Sequence, residues 1–239
     1  MSVFVAEELS EVLNTKVVIG RINMGLLNRI IIDDVLLDDQ SGQEMLKVTR
    51  LSAKFDIMPF FKGKISISSV QLFGFNINLR KETPDSPPNF KFVLDAFASK
   101  DTVKKENSLD LRINSILIRR GRMSYHVLSE EETPGKFNAK HIQLQNIIAN
   151  ISLKALSKDS LNLGIKRLSL DEKASGFSLK KMSLKLVANN KQTNIDNFTI
   201  ELPETSLKLD TIHLEYDSLK AFDRFTEQVH FSFRTLPSQ

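Results

Sequence analysis

The chain repeats a short apolar pattern that has an irregular step in its middle. In residues 111–118, apolar residues stand at relative positions 0, 2, 5 and 7, and two polar residues, Asn114 and Ser115, separate the two alternating pairs. The spacing occurs nine times in full, in units beginning at Val17, Ile30, Leu46, Ile65, Leu111, Phe137, Leu163, Phe177 and Leu207, and once more with Thr193 in first place. Most intervening positions are polar, so the pattern predicts strands that are apolar on one face.

The spacing of the four apolar positions distinguishes between several possible backbone geometries. On a helix the four positions fall on two opposed sides, and on a flat strand the second pair points away from the first. A β-bulge inserts one extra residue, returns all four side chains to one face and bends the strand. A two-residue hairpin turn also fits the spacing, but the inserted pairs include Lys166-Arg167 and Lys180-Lys181 rather than Asn-Gly or Asp-Gly. We therefore favour bent strands over hairpins.

The order of the units predicts a mainly β protein built on a curved antiparallel sheet of about ten bent strands. Successive units are mostly 13 to 19 residues apart, which suits antiparallel neighbours with short connections. Residues 65–79 overlay without gaps on residues 111–125, which we interpret as an internal repeat of a strand pair, with a hairpin return inside 65–82.

Few segments fall outside the pattern. Residues 1–15 are predicted to form a short amphipathic helix, and residues 16–239 a repetitive β-groove domain, which the family resemblance described below implies is truncated at its C-terminus. The proline-rich stretch that begins at Glu82 predicts a loop, and we take 82–108 as an insertion. Residues 91–99 fit a second short helix or a strand extension, and residues 217–229 fit a helix.

A sheet that is apolar on one face must cover that face. Three short helical candidates are too few to cover ten strands, so the sheet is expected to close around its own apolar face, either as a barrel or as a folded, taco-like trough. The predicted lining consists of Ile65, Ile67, Val70, Leu72, Leu111, Ile113, Ile116, Ile118, Leu163, Ile165, Leu168 and Leu170. These side chains either pack on one another as the core of a closed sandwich or line a groove for an apolar ligand, and the pattern alone leaves both alternatives open.

Composition and motifs argue against catalysis. The chain has no cysteine, and its four histidines (His126, His141, His213 and His230) are scattered without a second ligand at metal-binding spacing. No phosphate-binding glycine pattern, nucleophile elbow or metalloprotease motif is present, and the acidic pairs Asp33-Asp34 and Asp38-Asp39 fit turns and a solvent face. We predict a non-enzymatic protein with no catalytic residues, no metal site and no cofactor.

The charge adds little about partners. The net charge of +4 is spread along the chain without a run of five basic residues, and tryptophan is absent, which disfavours a nucleic-acid groove. A mildly basic surface is equally consistent with anionic membranes.

Residues 5–80, from the helix EELSEVLNT through the strands that follow it, resemble the AsmA-like family, including the TamB translocation and assembly module, in a form typical of Bacteroidetes. The similarity runs from the helix EELSEVLNT (7–15) into VVIGRINMGLLNRIIIDDVLLDDQSGQEMLKVTRLSAKFD (17–56), and ISISSVQLFGFNINLRKE (65–82) resembles the family's next strand pair. The family positions are matched by Thr15, Val17, Ile19, Gly20, Val35, Leu37, Asp38, Gly42, Leu46 and Leu51.

The resemblance implies a β-taco fold in a periplasmic protein that a missing N-terminal anchor attaches to the inner membrane. It also implies an apolar groove that binds phospholipid acyl chains and conducts them between the inner and outer membranes. An alternative is a protein-interaction scaffold that assists outer-membrane protein assembly, with an outer-membrane barrel as partner. A third hypothesis is a closed β-sandwich with only a structural role.

Overall fold

Two short helices and eleven strands make up the described part of the chain. The computed structural model describes residues 2–26, 28–55, 67–98, 114–156, 160–217 and 229–235. In chain order the elements are α1 (Ser2–Leu13), β1 (Val17–Gly25), β2 (Arg29–Asp38), β3 (Glu44–Phe55), β4 (Ile67–Lys81), α2 (Lys91–Ala98), β5 (Ser115–Val127), β6 (His141–Leu156), β7 (Ser160–Glu172), β8 (Ser178–Asn189), β9 (Gln192–Glu201), β10 (Ser206–Glu215) and β11 (His230–Thr235). The N-terminal helix is confirmed, and 91–99 contains a helix rather than a strand extension. The helix predicted at 217–229 falls almost entirely outside the described residues.

All eleven strands form one curved, unclosed sheet in which the spatial order equals the chain order. Each strand is hydrogen-bonded to the strands that precede and follow it in sequence, and β1 and β11 form the two edges of the described sheet. The prediction of a mainly β, groove-like fold is therefore confirmed.

β4 and β5 form the one parallel pair among the described strands, so the prediction of a wholly antiparallel sheet is wrong at this point. Parallel neighbours need a crossover of about a dozen residues or more, usually with a helix in it. Residues 82–114 supply this connection and contain α2. The hairpin return expected inside 65–82 is also wrong, because β4 is one continuous strand of 15 residues.

The register of the parallel pair coincides with the overlay of the two sequence segments. Val70 lies opposite Ile116 and Leu72 opposite Ile118, and the offset of 46 residues is kept to the end of both strands. Directly paired residues point to the same side of a sheet. From Val70 and Ile116 onward, the apolar residues that the two described strands have in common therefore lie side by side on one face.

Residues in the left-handed backbone region mark several of the predicted bends. Asp34 in β2 and Asn197 in β9 have φ angles of 56° and 52°, and both stand in an inserted polar pair. Asp and Asn enter this region more readily than other non-glycine residues. In β7 the ladder shifts register between Ile165 and Leu168, again at the inserted pair. At these sites the backbone departs from a regular strand where the spacing predicted an irregular step. The ladder shifts register in β7, whereas the pairing of β2 with β1 and β3 keeps its register on both sides of Asp34.

In β5 and β6 the bends lie further along the chain than the sequence pattern placed them. β5 begins at Ser115, so the pair Asn114–Ser115 stands at the start of the strand and does not bend its middle. The positive φ angles are found at Arg120 (55°) in β5 and Asn146 (56°) in β6. The spacing of 0, 2, 5 and 7 also fits Ile116, Ile118, Gly121 and Met123, with Arg119 and Arg120 as the inserted pair. Because Gly121 has no side chain, it does not count as an apolar position in the sequence pattern.

A phenylalanine ring fills the space that Gly121 leaves on the apolar face. A Cβ atom at this position would collide with Cε1 and Cζ of Phe75 and would lie 3.0 Å from Cβ of Ile147. Phe75 and Ile147 are two of the three buried residues in the central apolar cluster of the sheet. The glycine lets an aromatic ring from β4 lie directly over β5, which packs the parallel pair closely.

Replacing Gly121 with alanine is therefore expected to destabilise the fold. The new methyl group forces the buried Phe75 ring out of its position, and overpacking of this kind costs roughly 1–3 kcal/mol of unfolding free energy. Urea unfolding of the variant measures this loss. The double variant with Phe75→Leu should recover part of it, because leucine vacates the space that the methyl group needs. Wild-type stability in the single variant would contradict the predicted packing.

The two helices cover one end of the apolar face. Ala6 and Leu13 of α1 are buried against Val17 and Ile19 of β1, with Leu37 and Met45 in the same cluster. The same apolar cluster is contacted by Phe92, Val93 and Ala96 of α2 and by Phe90, which precedes the helix. The helical layer therefore packs against β1–β3 at one end of the sheet.

Candidate functional site

The candidate site is the apolar face of the sheet, and two rows of cross-strand neighbours define it. Along each row, every residue lies directly opposite the next one on the adjacent strand. The first row is Met24, Ile30, Ala53, Val70, Ile116, Ile151, Ile165 and Leu184. The second row is Ile22, Ile32, Leu51, Leu72, Ile118, Ala149, Leu168, Met182, Ile200 and Leu207. Each row is apolar throughout, and the second crosses ten strands.

The rows bring together most of the nine predicted lining residues that the structure describes. Six of these residues lie in the two rows, three in each. Leu163 lies in a third run, opposite Leu153 and Leu186, and Leu170 packs against the central apolar cluster. Ile67 stands at the start of β4. Ile65, Leu111 and Ile113 lie outside the described residues.

The apolar face is only partly covered. All nine predicted lining residues that the structure describes are half-buried. Among the described residues, no large side chain is less than 2% exposed. At the ends of the rows Met24 is 77% exposed and Leu207 47% exposed. The described residues therefore line the apolar face without sealing it as the core of a closed sandwich would be sealed.

The opposite face of the sheet carries charged side chains and ion pairs beside a few apolar ones. Asp33 of β2 is buried, and its carboxylate accepts a hydrogen bond of 2.6 Å from Nε of Arg50 on β3. Arg21 of β1 lies 3.8 Å from the same carboxylate. The hydrogen bond from Arg50 holds the pKa of Asp33 below its usual value, although burial opposes this. The two faces thus differ in chemistry.

A second buried carboxylate ties the connection after β4 to the loop after β2. Asp39 accepts hydrogen bonds from Ser41, Gln43 and Asn89, and Arg80 lies 2.6 Å from its Oδ2. Burial raises the pKa of Asp39, but these hydrogen bonds outweigh it and the pKa is lowered. Asp33 and Asp39, one from each acidic pair of the sequence, thus each lie against an arginine.

One group of side chains was missed by sequence spacing. His126, near the end of β5, lies opposite His141, the first residue of β6, and their Nδ1 atoms are 3.1 Å apart. A carboxylate oxygen of Glu132, in the loop between the strands, lies 3.9 Å from Nδ1 of His126. The two histidines are 15 positions apart, so only the pairing of the strands brings them together.

Neither described helix is long and apolar enough to cross a membrane. No protein-family model matches the sequence, and no curated protein matches it either.

Proposed function

We propose that the apolar face binds phospholipid acyl chains and that the chain is a non-enzymatic, AsmA/TamB-like segment of a periplasmic lipid conduit. The observation that supports this is the second row, an apolar path across ten strands that no polar residue interrupts. Isolated exposed apolar residues are common on protein surfaces, but large continuous apolar patches mark binding surfaces.

The dimensions of the rows suit several acyl chains. Neighbouring strands lie about 4.8 Å apart, so a row across ten strands extends roughly 43 Å. One acyl layer is half of a hydrocarbon core about 30 Å thick, or roughly 15 Å. An acyl chain therefore covers about three to four strands, and the face holds several in succession. Each square ångström of apolar surface that the lipid removes from water contributes about 25 cal/mol.

The energetics favour an apolar occupant over water. A face of half-buried aliphatic side chains offers no hydrogen-bond partners to water, and an acyl chain needs none. The irregular bends bring apolar side chains on both halves of a strand to the same face, so the occupant meets one continuous wall. In the proposed conduit, lipid moves along this wall between the inner and outer membranes.

Lipid content of the purified protein tests the proposal. The chain purified in mild conditions should carry phospholipid in native mass spectrometry, and the delipidated chain should take up a fluorescent long-chain fatty acid. Phospholipid should compete with the fatty acid for the same surface. A delipidated protein that takes up neither probe would contradict the proposal.

A second candidate function rests on the open edge of the sheet. β11 is hydrogen-bonded to β10 along one side, and Phe231 and Phe233 are 61% and 60% exposed. An exposed edge strand can pair with an extended peptide. A scaffold that assists outer-membrane barrel proteins would capture peptides from their strands. Ser232→Pro in β11 should block such capture and leave lipid uptake unchanged, which separates the two functions.

A further inference from the structure

We propose that His126, His141 and Glu132 form a binding site for one zinc ion at the end of the β5–β6 pair. The three side chains each offer one ligand atom, and these atoms all lie within 4.8 Å of one another. Two imidazoles and a carboxylate are a common ligand set for Zn²⁺, with a water or a ligand atom in the fourth position. The site is separate from the apolar face and does not depend on lipid binding.

The distance between the two imidazoles fits a shared metal ion. Two nitrogen ligands at about 2.0–2.1 Å from a tetrahedral zinc ion lie roughly 3.3–3.4 Å from each other. The Nδ1 atoms of His126 and His141 are 3.1 Å apart, with the rings tilted by 53°. Glu132 Oε1 lies 3.9 Å from Nδ1 of His126. The exposed Glu132 side chain therefore has to move closer to both imidazoles, by about 0.5 Å relative to Nδ1 of His126, for its carboxylate to complete a tetrahedral zinc site.

A backbone carbonyl fixes the proton of His141 on the nitrogen that faces away from the site. Nε2 of His141 lies 2.9 Å from the carbonyl oxygen of Glu130, and only a protonated nitrogen can donate to that oxygen. In the neutral ring, Nδ1 then carries a free lone pair directed at His126. Metal-binding histidines commonly donate their other ring N–H to a carbonyl or carboxylate in this way.

Without metal, a single hydrogen bond between the two Nδ1 atoms explains the same arrangement of the rings. Nδ1–H of His126 donates to the lone pair of His141, which accounts for the short nitrogen–nitrogen distance. When zinc binds, this proton moves to Nε2 of His126, and both Nδ1 lone pairs face the cation. The metal takes the place of a proton that already lies between the two rings.

The loop that carries Glu132 is held in place by the strands around it. The backbone N–H groups of Leu128 and Ser129 donate to the carbonyls of Lys81 and Glu82, and that of Gly135 donates to Ala174. The carboxylate therefore stands on a loop with both ends fixed, so little ordering is needed when a ligand binds.

The surrounding charges leave room for a cation. Lys140 forms an ion pair of 2.6 Å with the carboxylate of Glu130. Arg80 of β4, which lies opposite His126 of β5, forms an ion pair with Asp39. Lys173 lines the adjoining cavity of about 260 Å³ together with Glu132 and His141. Its ammonium group favours an anionic ligand or a water molecule at the fourth zinc position.

Zinc titration of the full chain tests the site. After treatment with a chelator, the protein should bind one Zn²⁺ per chain in competition with a chromophoric indicator. Co²⁺ in its place should give the strong visible absorption of a tetrahedral ion. A zinc concentration 100-fold above the dissociation constant should raise the melting temperature by roughly 5–10 °C.

Two ligand variants and one matched control decide the assignment. His126→Gln should weaken zinc binding at least ~100-fold and Glu132→Gln ~10-fold. The control is His213→Gln, since His213 contacts Asn194 and Glu215 but no second histidine. It should bind zinc within about twofold of the wild-type chain. Circular dichroism checks that each variant is folded. Less than one zinc per wild-type chain, or unchanged affinity in folded His126→Gln and Glu132→Gln, would overturn the proposal.

Discussion

Replacing Ile116 with glutamate is expected to abolish acyl-chain uptake, whereas the same change at the neighbouring Leu117 should leave uptake close to that of the wild-type chain. Ile116 lies in the first row of the apolar face, between Val70 and Ile151. A carboxylate there must lose its water when an acyl chain covers it, and it finds no cation among its row neighbours. The cost is at least about 3 kcal/mol, or a loss of affinity of more than roughly 100-fold.

Leu117 is the matched control because it is also a half-buried aliphatic residue of β5 but belongs to the other face of the sheet. It is half-buried to a similar degree, but its cross-strand neighbours are the polar residues Gln71 and Asn150. Successive residues of a strand point to opposite faces. The glutamate in Leu117→Glu therefore joins the opposite face and does not meet the lipid.

Stability must be measured beside uptake, because both substitutions change a half-buried side chain. We expect each to lower the unfolding free energy by a similar amount, roughly 1–2 kcal/mol. Fluorescent fatty-acid titrations and urea unfolding of both variants give the two quantities. If Ile116→Glu and Leu117→Glu lost uptake equally, the loss would follow from the fold and not from the apolar face. If neither lost uptake, the face would not be the binding surface.

The sequence predicted the bends where a residue type favours them and missed them elsewhere. Asp34 and Asn197 enter the left-handed region at a small cost, and the polar pairs around them were visible in the spacing. Arg120 has no such preference. Its guanidinium carbon lies 5.1 Å from the centre of the Phe73 ring, within the range of a cation–π contact. That contact depends on the neighbouring strand, so no local pattern could have indicated it.

Strand direction was the main feature that local patterns could not supply. An antiparallel and a parallel neighbour share the same alternation of apolar residues, and the difference lies in the path of the connection. The long segment 82–114 and the ungapped overlay of 65–79 on 111–125 are both consistent with a parallel pair, but we interpreted them as an insertion and a repeated strand pair with a hairpin return. Ile65, Leu111 and Ile113 stay predictions.

The composition of the apolar face was predictable, but its partial burial and the histidine pair were not. Cross-strand rows follow from the period of the pattern once the register is known. Whether another layer covers a row depends on the number and placement of helices. The proximity of His126 and His141 depends on the register of β5 and β6.

Glu172 is expected to be the most important single carboxylate for stability between pH 2 and pH 5. It ends β7, is 3% exposed, and accepts hydrogen bonds from the backbone N–H groups of Gln143, Ala174 and Ser175 and from the hydroxyl of Ser175. Burial raises its pKa, but the four hydrogen bonds outweigh this and lower the pKa from 4.5 to about 2.

The lowered pKa makes part of the stability depend on pH. In the unfolded chain Glu172 takes up a proton near its ordinary pKa, whereas in the folded chain it stays ionised to a lower pH. Its contribution is therefore fully present above about pH 5 and is lost as the pH falls toward 2. The shift corresponds to roughly 3 kcal/mol of unfolding free energy at neutral pH.

Glu172→Gln should remove this contribution and its pH dependence together. The amide group of glutamine turns one acceptor into a donor that faces backbone N–H groups, so the variant should be about 2–3 kcal/mol less stable at pH 7. Its unfolding free energy should then fall less steeply than that of the wild-type chain between pH 5 and pH 2. Urea unfolding at several pH values measures both effects.

Glu201→Gln provides the comparison, because Glu201 is half-buried and forms one ion pair, with Lys181 at 3.3 Å. Pairs of this kind contribute about 0–1 kcal/mol, so this variant should keep nearly all of the stability and the wild-type pH profile. Equal stability of the Glu172→Gln and Glu201→Gln variants at pH 7 would show that the hydrogen bonds of Glu172 stabilise the fold no more than a surface ion pair does. An unchanged pH profile in Glu172→Gln would assign the acid-sensitive stability to other carboxylates, with Asp33 and Asp39 the next to be substituted because their pKa values are also lowered.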